Sequence, residues 1–258
     1  MATRNEWTRA ETLAALHLYF QIPFGKLDQR NPRIRSLAEW IHRTPGAVAL
    51  KLVNLASLDP QVRASGRVGM GNASRLDEGI WRELNQDWDA VANEAAHSFD
   101  RYSNEHGVPP GSDVADEVPE IAEGKTVTAL VKVRVNQARF RKAMLAGYNA
   151  RCCVSGLSLP QLLVASHIVP WSSDVKNRLN PHNGLLLSVL HDKAYDVGLM
   201  TVLPDYTVRV AKRLIDEPLD EFAKGTLLSV NGQKIRLPDR FKPAPEFLTS
   251  HAARFGFV

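Results

Sequence analysis

Apolar and polar positions divide the chain into a first part with helical spacing and a second part where short apolar runs alternate with polar clusters. Trp7-Thr8-Arg9-Ala10-Glu11 predicts a helix start: Thr8 can cap, and Glu11, three residues on, can complete a capping box. This helix is expected to run to about Phe20, with Leu13, Leu16 and Phe20 on one face, and to stop before Pro23. Asn31-Pro32 opens a second helix carrying Ile34, Leu37, Trp40 and Ile41. A third is capped by Thr44, has Pro45 at its first position and runs through Val53. From Ser74 one long helix is expected, with Leu76, Ile80, Leu84, Trp88, Val91, Ala95 and Phe99 on a single stripe.

The second part reads differently. Thr128 to Val135 alternates as a strand does, and Gln137 to Tyr148 reads as a basic helix with Phe140 and Met144 inward. Leu162 to Ala165 and Leu185 to Leu187 are short apolar runs of strand character, the second followed by polar residues at helical spacing. Thr207 to Val210 predicts a further strand, and Asn231-Gly232 predicts a hairpin turn within Leu227 to Leu237. Pro245 to Arg254 is a closing helix, with His251 expected on its surface.

Between the two parts lies Glu105 to Gly124, holding Pro109-Pro110-Gly111-Ser112 and the acids Asp113, Asp116, Glu117, Glu120 and Glu123. It is the best boundary in the chain. The expected organisation is a helical domain over residues 1–105, an acidic Pro-rich linker over 106–125, and an α+β domain over 126–258.

Composition narrows the class. With 258 residues, 44% of them apolar and 23% charged, the chain is globular and neither collagenous nor broadly disordered. No apolar run approaches 20 residues and no cleavable signal pattern opens the chain, so a cytoplasmic protein with no membrane partner is expected. The two cysteines, Cys152 and Cys153, are adjacent and supply neither a zinc ribbon nor a disulfide framework. The net charge is only +4, but from Thr126 to Arg151 it is all of one sign: Lys132, Arg134, Arg139, Arg141, Lys142 and Arg151, with no acid among them. Such a run fits a polyanionic partner, DNA or RNA.

Chemistry concentrates in Val164 to Leu199, which packs three histidines, three asparagines and three aspartates between aliphatic runs. His167 follows the first run, Asn183 precedes the second, and His191, Asp192 and Asp196 follow it. Hydrolysing a phosphodiester needs an activated water and compensation for charge on the phosphate and the leaving oxygen. A neutral histidine suits the first task and a divalent cation the second.

Three blocks in this order, Ala165-Ser166-His167-Ile168-Val169-Pro170-Trp171, Asn180-Pro181-His182-Asn183-Gly184-Leu185-Leu186-Leu187 and His191-Asp192-Lys193-Ala194-Tyr195-Asp196-Val197-Gly198-Leu199, resemble the HNH endonuclease family, in particular its restriction-type branch. The resemblance covers about Val133 to Val202 and implies a ββα-metal fold with added strands. It implies His167 as general base and Asn183 as the residue orienting His167 or the loop that holds it. It places metal ligands at the residue before the base, here Ser166, and on the helix at Asp192 and Asp196, with His191 as an alternative one register away. Carboxylate ligands favour Mg²⁺ or Mn²⁺, while a site containing His191 would accept Zn²⁺, Ni²⁺ or Co²⁺. Ser166 stands where the family's commoner pattern has Asp or His. A second reading is therefore a DNA-binding regulator whose HNH metal site has decayed.

Trp7 to Asn54 resembles a Myb-like or helix-turn-helix unit, in which the third helix enters the major groove. Its polar reach would come from Lys51 and Asn54, with Arg43 at its start. Arg63 and Arg67, in the loop Gln61 to Asn72, are candidate phosphate contacts, as are Arg139, Arg141 and Arg178. The combined expectation is a restriction-type DNA endonuclease, with modified DNA as a candidate target and a homodimeric state left open.

Overall fold

The computed structural model describes residues 6–64, 72–108 and 125–258, with the backbone path alone over 125–132. The fold is α+β, and its chain divides into two compact units, Met1–Lys142 and Ala143–Val258.

In the first unit, α1 (Arg9–Gln21) carries the capping box read from the sequence, Thr8 with Glu11. Every residue from Thr12 to Phe20 is buried. A helix covered on all sides is the axis of its bundle, and α1 packs on α2 (Pro32–Trp40), α3 (Pro45–Ala56) and, most extensively, α6 (Trp88–Glu105). Asn31 and Thr44 cap α2 and α3, each with proline at the first position. A short α4 (Pro60–Ala64) follows, then α5 (Arg75–Gln86), capped by Ser74.

The single long helix expected from Ser74 is instead α5 and α6, broken at Asp87. Asp87 takes an extended conformation (φ −152°, ψ 92°) and its carboxylate accepts from the Ala90 amide, capping α6. A side chain that bonds a backbone amide three residues on competes with helix continuation. The apolar stripe still does its work, since Ile80, Leu84, Trp88, Val91 and Ala95 are all buried.

The strand expected over Thr128 to Val135 is helical: α7 runs unbroken through Lys125–Gly147. No proline or glycine interrupts 125–146, and a β-branched stretch with no partner edge follows the strong helix former beside it. Phe140 and Met144 are buried, as expected. The division between the units falls inside this helix at Lys142, whereas the sequence places its boundary in the acidic stretch 106–125, most of which lies outside the described residues.

The second unit is built on two small antiparallel sheets. β1 (Leu163–His167) pairs with β2 (Gly184–Ser188), setting Ser166 opposite Leu185 and His167 opposite Gly184. All five β2 residues are buried. One side receives α8 (Val189–Asp196), and Cys153 donates its amide to the Leu186 carbonyl at 2.8 Å. β3 (Met200–Val202) pairs with β4 (Val208–Val210).

The hairpin expected over Leu227 to Leu237 does not form. After α9 (Lys212–Ile215) and α10 (Glu221–Ala223) the chain makes one wide helical turn, Lys224–Leu228. Asn231-Gly232 then turns it, with Gly232 at φ +79°, and the returning segment bonds Tyr206 and Val208. The turn chemistry is as read, but its strand partner is the end of the β3–β4 hairpin. α11 (Pro245–Arg254) closes the unit against β3. No described helix is long and apolar enough to cross a membrane.

Candidate nuclease site

The sixteen residues between β1 and β2 form a loop held by its own side chains. Asp174 accepts from Asn177, whose side-chain oxygen accepts from Asn180 at 2.7 Å, and Asn180 caps the turn Pro181–Asn183. Asn183 is 1% exposed and ties both ends of the loop together. Its Oδ1 accepts from the Val169 amide at 2.8 Å, and its Nδ2 donates to the Val169 carbonyl at 3.1 Å. The residues after His167 are therefore fixed to the residue before β2. Asn183 acts on the loop that carries His167; its hydrogen bonds go to that loop's backbone.

His167 ends β1 with its ring edge-on to Trp171, centroids 5.3 Å apart, and its Nε2 lies 2.9 Å from the Arg178 carbonyl oxygen. A carbonyl only accepts, so Nε2 carries the proton and the neutral ring has its lone pair on Nδ1. Burial holds the His167 pKa below the ordinary 6.5, and the bond to Arg178 offsets part of that shift. Arg178 also donates from Nε to the Trp171 carbonyl at 2.9 Å, with its guanidinium over the Trp171 ring. This candidate phosphate contact thus braces the histidine loop with one of its nitrogens.

A cleft of about 240 Å³ brings together Ser166 and His167 from β1, Asp192 and Asp196 from α8, and His251, Arg254 and Phe255 from the end of α11. Asp192 and Asp196 share a helix face, four residues apart. Burial pushes the Asp192 carboxyl above the usual range; the Ser166 hydroxyl bonds it and pulls it back, and the Asp196 charge pushes it up again. Two carboxylates that repel in one cleft are a donor set a hard divalent cation relieves, with water and substrate oxygens filling its remaining positions. Among the described residues no cluster of three or more His, Cys, Asp or Glu side chains is placed to hold a metal. Asp192 and Asp196 are the two carboxylates of this cleft that could hold such a cation.

His191 is not in this cleft. It is 3% exposed, and its two ring nitrogens lie 2.7 Å from Ser188 Oγ and 3.1 Å from the Thr226 carbonyl. Burial pushes the neighbouring Cys152 thiol up, but the polar groups of His191 and Ser155 beside it outweigh that and hold it at about 6. Both ring nitrogens have protein partners and His191 does not line the cleft with Asp192 and Asp196, so the geometry speaks against the alternative that made it a metal ligand. His251, expected at the surface, is buried: its ring stacks on Tyr195 at 3.6 Å and its Nδ1 meets Thr201 Oγ1 at 2.9 Å. No local pattern marks His251, Arg254 or Phe255 as site residues, because they reach the cleft through tertiary packing alone.

The other nucleic-acid candidates are placed unevenly. Lys51, 4% exposed, pairs with Asp77 at 2.7 Å, and Arg43 pairs with Glu11 at 3.0 Å. Both cations also lie over the Trp7 ring. Asn54 is buried as well. Both polar positions of α3 are thus buried inside the first unit, Lys51 on Asp77 and Asn54 with its side-chain oxygen unpartnered, which speaks against base reading by either. Arg139 pairs with Asp100 at 3.0 Å, and Arg63 bonds the Ser57 carbonyl while remaining exposed. Arg141 is half-buried, and Arg67 lies outside the described residues.

A histidine ending the first strand of an antiparallel pair, an asparagine opening the second, and a following helix with two acids facing that histidine define a ββα nuclease-type site. Residues 152–203 match the model of a family described as HNH endonuclease. That stretch lies wholly in the second unit, and over it the resemblance read from the sequence is borne out. No curated protein matches the chain.

Proposed function

We propose that the protein is a DNA endonuclease that hydrolyses phosphodiester bonds with His167 as general base and a divalent cation held at Asp192 and Asp196. The observation that carries this reading is the meeting of His167 with both carboxylates in one cleft. Nδ1 of His167 takes the proton from the attacking water, while the Arg178 carbonyl keeps the ring in the tautomer that allows it. Asn183 holds the loop so that the ring does not swing away from the cleft. Ser166 positions the Asp192 carboxylate through its hydroxyl. The cation supplies Lewis-acid compensation for charge on the phosphate and the leaving oxygen.

The role in the cell follows as a proposal from the same resemblance: a restriction-type enzyme acting on DNA, with the helical first unit contributing recognition. With the α3 polar positions buried, that recognition falls to exposed surfaces of the unit such as Arg63. Nicking of supercoiled plasmid with Mg²⁺, Mn²⁺ or EDTA tests the activity. The same assay on methylated, hydroxymethylated and unmodified DNA tests the restriction reading: equal rates on all three remove the preference for modified bases. The alternative of a DNA-binding regulator predicts binding with no nicking under any metal. Ser166 in place of a stronger ligand is the observation that favours it.

A further inference from the structure

The cleft that holds His167, Asp192 and Asp196 has one cation on its wall, and it comes from outside the stretch matching the nuclease family. Arg254 is the last residue of α11, more than 50 residues beyond the end of that match at residue 203. Its place is well determined. His251, one turn earlier, stacks on Tyr195 of α8 with ring centroids 3.6 Å apart and meets Thr201 of β3 at 2.9 Å. Phe255, the next residue, lies against Gly198, where an added Cβ would come within 2.2 Å of its ring. The last turn of α11 is therefore pinned on both sides of Arg254 to the frame that carries Asp192 and Asp196.

The side chain itself is exposed, and among the described residues no carboxylate forms an ion pair with it. Its guanidinium lies over the ring of Phe255, 5.1 Å from the centroid. Arg254 also lines a second cleft, of about 310 Å³, with Ile168, Pro170, Ser172, Ser173 and Ser250. One guanidinium thus stands where the acidic cleft passes into a neighbouring one with three serine residues on its wall. An anionic strand crossing both would find its only positively charged side chain among the lining residues at their junction. A guanidinium offers a planar fork of donors matched to two oxygens of one phosphate.

We infer that Arg254 is a substrate-binding residue that grips a backbone phosphate of the DNA strand and directs that strand from the His167 cleft into the cleft lined by Ser172, Ser173 and Ser250. The inference rests on the nuclease reading, and binding separates the two.

The test uses the full chain carrying Arg254→Ala, Arg254→Gln or Arg254→Lys. Binding of a fluorescein-labelled duplex is titrated against salt on a His167→Ala background with Mn²⁺, where strands stay intact. Removing one phosphate contact makes the slope of log affinity against log salt shallower by about 0.9. Nicking of plasmid at subsaturating DNA is expected to fall about tenfold or more in the alanine and glutamine variants. Lysine should restore the slope and part of the rate. An alanine variant with wild-type slope overturns the inference, whether or not its rate falls, because a rate loss alone marks a structural effect. The glutamine variant decides the matter if alanine frays the helix end. If the wild type nicks no DNA, the nuclease reading fails while the salt slope still decides Arg254.

Discussion

Asn183 holds Val169 by both ends of its side-chain amide, accepting from the Val169 nitrogen at 2.8 Å and donating to the Val169 oxygen at 3.1 Å. A side chain that satisfies both backbone groups of one residue fixes that residue's orientation as well as its distance. His167, two residues earlier, inherits the constraint.

Asn183→Ala is therefore expected to leave two part-buried backbone groups of Val169 without this partner and to cost about 1–3 kcal/mol of stability. Cleavage should fall at least tenfold, while Mn²⁺ binding measured by calorimetry stays near wild type, because Asp192 and Asp196 are untouched. Denaturant melts and single-turnover nicking check the two halves separately. Asn183→Asp keeps an acceptor for the Val169 amide and loses the donor to its carbonyl, and should fall between the two.

Gly198 has φ +67° and the Phe255 ring fills the space where a side chain would begin. Gly198→Ala combines left-handed backbone strain with overpacking and should cost about 1–3 kcal/mol or more. Since Phe255 anchors the end of α11, cleavage should drop with it. Thermal unfolding together with nicking at a temperature where the variant is fully folded checks this.

Lys51→Ala leaves the Asp77 carboxylate buried without its cation, and breaking such a pair costs about 3–5 kcal/mol. If the side chain instead touched DNA, the salt dependence of binding would become shallower. The expected result is a large fall in melting temperature with an unchanged salt slope in the folded variant.

Much of this arrangement was legible from the residues. The capping box at Thr8 and Glu11, the proline-led helices and the order histidine, asparagine, acids are local signals, and the structure realises each where it was read. The losses are tertiary. The Ala-, Val- and Leu-rich run of α3 hints that its polar residues are buried, but nothing local reveals that Asp77 and Trp7 are the partners of Lys51. His191 looks like a ligand by its position next to Asp192, yet successive helix residues point about 100° apart, and it faces Ser188 and Thr226 on the far side. His251 and Arg254 carry no motif at all, and only the packing of α11 on Tyr195 and Gly198 brings them to the cleft.

The buried His251 also makes stability depend on pH. Its pKa is lowered from the ordinary 6.5 to about 4, chiefly by burial, with a bond to the Tyr195 backbone opposing and the nearby Arg254 charge adding to the shift. Below pH 6.5 the unfolded chain takes up a proton that the folded chain refuses, so this contribution is complete above 6.5 and is lost as pH falls toward 4. His17, buried in the first unit and also lowered, acts in the same direction. His251→Gln should flatten the fall in unfolding free energy between these pH values, as read by urea melts at a series of pH values.

The most direct measurement is the initial rate of supercoiled plasmid nicking by the wild type and by His167→Ala, each with Mg²⁺, with Mn²⁺ and with EDTA. A general base contributes about 10²–10⁴ in rate. The wild type should nick with a divalent cation and not in EDTA, and His167→Ala should be slower by at least about a hundredfold while still binding the DNA. A His167→Ala protein that nicks at the wild-type rate, or a wild type indifferent to EDTA, would contradict the assignment.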